Sequence, residues 1–199
     1  MPIAITMDQR LSRQRDDLVQ KTMLRYNDVF ANGLLRPFER TSGDEMQALI
    51  SEPRTAIEIW VDAVQSGDWW IGVGIGPLNE PIAKSVREVG GVALQNARLA
   101  VEGAKSRSTP HRFQITGNDE RVEDLAVVLT LVAWVVERQT PAALVAEELY
   151  TNGRTQQEAA AVLKISQQAF GERIRRGGVT EKRSGCELAI RILESLESK

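Results

Sequence analysis

The sequence predicts an α+β fold: an antiparallel sheet domain over residues 1–117, followed by an all-helical domain over 118–199. Three observations carry this. Segments with period-two apolar spacing alternate with segments of helical spacing as far as Thr116. Beyond Gly117-Asn118 every segment is helical in pattern. The charge also divides: residues 151–199 hold nine Lys/Arg against six Asp/Glu, a net of +3, whereas residues 1–150 carry −5. A basic tail on an acidic body is the pattern of a small nucleic-acid reader joined to another domain.

The elements follow in order. IAITMD at 3–8 alternates, with Ile3, Ile5 and Met7 on one face and Ala4, Thr6 and Asp8 on the other. Leu11, Leu18, Met23, Leu24, Val29 and Phe30 predict a helix from about 11 to 30, ended by Asn32-Gly33. FERT at 38–41 and Met46–Ile50 are two strands joined by a hairpin at SGDE. Pro53 opens a helix that closes at Ser66-Gly67-Asp68. In WWIGVGIGP at 69–77, Gly72, Gly74 and Gly76 share one face. Such glycines mark the close approach of another backbone or a ligand, and a helix lying on the strand is the first expectation. No dinucleotide fingerprint is formed, since no G-x-G-x-x-G occurs. GVALQNARLAVEGAK at 91–105 predicts a helix with Ala93, Leu94, Ala97, Val101 and Ala104 inward. A polar connector at 105–110 leads to a last strand, RFQIT, at 112–116. Helices at 119–138 and 141–151 and three more complete the chain.

With 199 residues, 42% hydrophobic and 26% charged, the composition is that of an ordinary globular protein. A net charge of −2 excludes a chain that coats nucleic acid along its whole length. One cysteine, Cys186, excludes an intrachain disulfide, and one histidine, His111, excludes a Cys/His zinc site. The start lacks the basic and apolar regions of a signal peptide. The longest apolar run, at 125–136, is too short for a bilayer and is flanked by acids. A cytoplasmic location with no membrane partner is expected.

The strongest motif is TQQEAAAVLKISQQAFGERIRR at 155–176. Thr155 and Glu158 have the spacing of a capping box. Ala159, Ala160 and Leu163 face inward, Lys164-Ile165-Ser166 turns the chain, and Ser166 caps a second helix that buries Phe170 and Ile174. The segment resembles the helix-turn-helix of bacterial regulators and of sigma-factor promoter-reading domains, with Lys164 where those usually have glycine. The resemblance implies that the second helix enters the major groove of double-stranded DNA by its N-terminal half. Gln167 and Gln168 would read bases, Gln being able to bond adenine bidentately. Arg173, Arg175, Arg176, Lys182 and Arg183 would stand near phosphates. Glu172 would oppose phosphate or accept from cytosine. A helical hairpin for protein contact is the alternative. A homodimer is expected, through the last helix with its Ala189, Ile192, Leu193, Leu196 stripe or through the apolar helix at 125–136.

At the other end, Asp8 closes the first strand and Asp44 lies at the hairpin tip. In a palm-like (ferredoxin-like) β-α-β-β sheet these carboxylates converge on one end, and such a pair can hold Mg²⁺ or Mn²⁺ with phosphates. TMDQRLSR at 6–13, PFERTSGDEMQALI at 37–50, IGVGIGP at 71–77 and GVALQNARLA at 91–100 resemble the SatD family and, more distantly, class III nucleotidyl cyclase and GGDEF palm domains. In the cyclases the two metal-binding aspartates match Asp8 and Asp44. Their catalytic Asn and Arg stand four apart on a helix, whereas Asn96 and Arg98 are two apart and face different ways. Ser42 also breaks the glycine pair of a GGDEF enzyme. The resemblance therefore implies a fold and a ligand site, formed by Asp8 and Asp44 with Arg40, Glu45 and Arg98, and does not carry over catalysis. Asp44 as a turn residue, Asp8 as a helix cap and Arg40–Glu45 as a cross-strand pair are the structural alternatives.

The expectation is a DNA-binding transcriptional regulator whose first domain senses a ligand, a nucleotide being the candidate, or dimerises. It needs no cofactor. A metal-dependent enzyme acting on nucleotides through Asp8 and Asp44, and a protein-interaction module, are the alternatives.

Overall fold

Strand β1 (Ile3–Gln9) lies at the middle of a five-stranded sheet. The computed structural model describes residues 1–106 and 110–197, so the connector expected at 105–110 falls partly outside them. On one side of β1 lies β3 (Glu45–Ile50) and then β2 (Leu34–Ser42). On the other lie β4 (Trp69–Ile75) and then β5 (Phe113–Thr116). Three pairings are antiparallel, but β5 runs parallel to β4. The sheet is therefore mixed, a correction to the all-antiparallel expectation. Its cause is helix α3 (Val92–Ala104), which carries the chain from β4 back to the start of β5 as parallel pairing requires.

Helices cover both faces, which is why Ile3–Met7 is buried without interruption and not on alternate residues only. On one face Ile3, Ile5 and Met7 join a core with α1 (Val19–Val29) and α2 (Pro53–Ser66). On the other, Ala4 packs with Ala93, Leu94 and Ala97 of α3. Gly72 and Gly74 permit that contact. A Cβ on Gly74 would lie 2.0 Å from the Ala93 carbonyl oxygen, and one on Gly72 would lie 2.3 Å from that of Ala97. The glycine face thus receives a helix backbone, as expected first. Asn96, 7% exposed, fastens the same contact by donating to the Ile75 carbonyl at 2.9 Å.

The helix expected from 11 begins only at Val19. Gln9, 3% exposed, explains the delay: its amide accepts from Leu18 N at 2.9 Å and donates to the Asp16 carbonyl at 2.7 Å, holding 10–18 as turns. Asp8 therefore caps no helix.

After β5 come α4 (Arg121–Val136), α5 (Pro141–Thr151), α6 (Gln156–Val162), α7 (Gln167–Arg176) and α8 (Val179–Glu197). Leu125, Leu129, Val132 and Ala133 of α4 and Ala189, Ile190, Leu193 and Leu196 of α8 belong to the same core as Trp60 and Phe113. The core thus runs across residue 117. Ala146, Ala159, Ala160, Phe170, Ile174 and Val179 form a separate small core among α5, α6, α7 and the start of α8. Among the described residues, no single helix is long and apolar enough to cross a membrane.

Candidate functional site

The α6–α7 pair is built from local rules. Thr155 accepts from Glu158 N at 3.2 Å, and the Glu158 carboxylate accepts from Thr155 N at 2.8 Å, completing the capping box. At the other end of α6, Ile165 N donates to the Ala160 carbonyl at 3.0 Å and Lys164 N to that of Ala161 at 3.1 Å. This double closure is the Schellman arrangement, which places Lys164 in the left-handed region at φ +54°. Ser166 Oγ then accepts from Ala169 N at 3.1 Å and starts α7. Ala159 and Ala160 are small enough for Phe170, fully buried, to seat against them.

With Phe170 and Ile174 inward, the N-terminal half of α7 faces solvent. Gln167 and Gln168 are exposed, and neither side chain has a hydrogen-bond partner among the described residues. Their amides remain available to an outside partner. The charged candidates divide. Arg175 pairs with Glu172 at 2.8 Å, and Arg176 pairs with the same carboxylate. Those two guanidiniums hold the Glu172 carboxyl down at about 2, so it stays ionised and cancels part of their field. Arg173, half-buried, makes no ion pair among the described residues. Arg183 is exposed on α8 and lines a groove with Tyr150 and Glu187.

Lys182 corrects the expectation of a phosphate contact. It is 9% exposed, and its ammonium bonds Glu147 at 3.0 Å and the Gln139 amide oxygen at 3.2 Å. It ties α5 to α8 and faces inward. Lys164, in contrast, was read only for its backbone, yet it is exposed two residues before the α7 cap. A cation in a turn is a visible signal for such a role.

The acidic end of the sheet is also assembled, differently from expectation. Asp8 stands opposite Glu45 in the β1–β3 register, and Asp44 occupies the turn beside them. Asp8 bonds Lys105 Nζ at 3.0 Å, and Asp44 accepts a short hydrogen bond from Ser12. Burial pushes the Asp8 carboxyl above its ordinary value; Lys105 opposes this, while Asp44 and Glu45 add to it. At Lys105 burial pulls the other way, but Asp8 and Glu102 outweigh it and hold the ammonium up. Glu45, 6% exposed, accepts from Thr41 and lies 3.9 Å from Arg98, whose side chain is 69% exposed.

Arg40 is not part of this cluster. It pairs with Asp17 at 2.6 Å and donates to the Gly43 carbonyl, so it forms no cross-strand pair with Glu45 either. A Mg²⁺ or Mn²⁺ ion at Asp8 would have to displace the Lys105 ammonium. No group of three or more His, Cys, Asp or Glu suited to a metal occurs among the described residues. The sequence offered no signal for Lys105, because only the packing of α3 across the sheet brings it to Asp8.

In comparisons with protein-family models, curated proteins and solved structures, the chain matches none.

Proposed function

We propose that the chain is a DNA-binding transcriptional regulator in which α6 and α7 form a helix-turn-helix and α7 enters the major groove of double-stranded DNA. The observation that carries this reading is the pair of exposed amides, Gln167 and Gln168, with no partners among the described residues. They stand at the start of a helix whose opposite side is anchored by Phe170 and Ile174. Adenine edges offer a donor and an acceptor at the spacing of such an amide. Arg173 and Lys164 supply phosphate contacts. Arg175 and Arg176 add to them when phosphate competes with Glu172.

The N-terminal unit serves as the sensing or assembling part. Its strand order β2-β3-β1-β4, with α1 and α2 on one face, supports a palm-like reading to which α3 and β5 are additions. A nucleotide is the candidate ligand at the Asp8–Asp44–Glu45 end, with Lys105 and Arg98 as its cations.

The test is selection of bound fragments from random DNA, followed by salt titration of the best site. A short sequence is enriched, and for each tenfold rise in salt the affinity falls by about 0.9 logarithmic unit per phosphate neutralised. Gln167→Ala with Gln168→Ala removes the preference, at about 1–3 kcal/mol for each bidentate pairing with a base, and keeps the salt slope. Glu172→Gln frees Arg175 and Arg176, so non-specific affinity rises and the slope steepens. Absence of any enriched sequence at low salt overturns the reading in favour of a protein-contact surface.

A further inference from the structure

The outer side of α4 carries an apolar stripe that nothing in the described chain covers. Val127, Leu131 and Trp134 are 61%, 66% and 54% exposed, and they follow one another at i, i+4, i+7. Single exposed apolar residues are ordinary, but a continuous stripe of large ones marks an interface. Val128 and Val135 flank it, half-buried.

The charges at its two ends are opposite and evenly placed. Asp124 is seven residues before Leu131 and Arg138 is seven after it. Asp124 is exposed and makes no ion pair among the described residues. Arg138 lies over the Trp134 ring, 4.0 Å from its centroid, and donates to the Trp134 carbonyl at 3.0 Å, without a carboxylate partner among the described residues. A surface that is acidic at one end, basic at the other and apolar between is complementary to itself when turned end for end. That is the requirement of a two-fold interface.

We infer that α4 packs antiparallel on α4 of a second copy, about a two-fold axis passing through Leu131. Residues equally far on either side of Leu131 then face each other. Asp124 meets the partner's Arg138, and Val127 meets the partner's Val135. Val128 meets the partner's Trp134. Beside Val128 runs a groove of about 270 Å³ between α4 and α8, walled by Leu131, Val135, Gly185, Leu188 and Glu181, into which that indole fits. Along each helix 124, 127, 131, 134 and 138 keep the alternating three- and four-residue spacing that holds one face toward a partner. Antiparallel helices also oppose their dipoles favourably. This association does not depend on DNA binding, although it would place two α7 helices in one particle.

The experiment is sedimentation of the full chain over a concentration series. The wild type is a dimer. Leu131→Glu sets two like charges on the axis and weakens association about 30-fold or more, with an unchanged far-ultraviolet circular dichroism spectrum because the site is exposed in the single chain. Asp124→Arg and Arg138→Asp each weaken the dimer, and the two together restore it. In a Cys186→Ser background, Leu131→Cys closes a disulfide between copies on mild oxidation. Val127→Cys does not, since it stands about 12 Å along the axis from its own copy. A monomer at all concentrations, a dimer indifferent to Leu131→Glu, or a double reversal that fails to recover overturns the inference.

Discussion

Lys164 holds a backbone conformation that glycine adopts at no steric cost, and it does so because the α6 closure demands it. Its side chain is exposed, so Lys164→Gly removes strain without loss of packing. We expect it to raise stability by about 0.5–1 kcal/mol in urea unfolding, part of the relief being offset by the looser unfolded chain. Asp8 shows a different kind of strain. Burial and two neighbouring acids raise its carboxyl despite Lys105, so the folded state holds the Asp8 proton more tightly than the unfolded chain. Its stabilising share is complete below the ordinary value of 3.8 and is lost as pH rises through the raised value. Asp8→Asn removes that share, so as pH rises above the ordinary value of 3.8 the variant should lose less stability than wild type. An identical slope in chemical unfolding would contradict this. Neither residue's state follows from composition alone: the Lys164 turn is local and could be read from the motif, whereas the environment of Asp8 comes from three segments distant in sequence.

At the scale of elements, contact between α3 and β4 is the most demanding in the fold. Gly74→Ala would drive a methyl into the α3 backbone, where no side chain can move aside. The expected loss is about 3 kcal/mol or more, read from the urea midpoint. A loss under about 1 kcal/mol would mean that α3 shifts freely on the sheet. The glycine spacing announced this contact in advance. The delayed start of α1 was not announced, because the Gln9 amide replaces helical hydrogen bonds with its own. Lys182 is a similar case. Its charge suggested a phosphate contact, but a carboxylate and an amide on neighbouring elements hold it inside.

For the whole molecule, the decisive feature is a core that ignores the boundary at 117. Trp60 and Phe113, with ring centroids 5.0 Å apart, share one cluster with residues of α4 and α8. Residues 1–117 alone would expose that face, and we expect such a fragment to melt without cooperativity and to bind hydrophobic dyes. A sharp melt at the full-length temperature would show that α4 and α8 are dispensable to the sheet. Arg54 on α2 and Glu187 on α8 add an exposed ion pair at 3.0 Å between the same layers. It contributes little beside the apolar contact.

By itself the sequence determined the α+β class, nearly every element, the glycine-lined helix contact, and the capped turn between α6 and α7. These are local features, written in periodicities and caps that span a few residues. Tertiary structure alone decided which way β5 pairs, which charges are free and which are tied, and which face of α4 is left bare. The reason is physical. An ion pair or a covered face is set by what arrives from elsewhere in the chain, and a lysine reads the same in sequence whether it meets a phosphate or a buried glutamate.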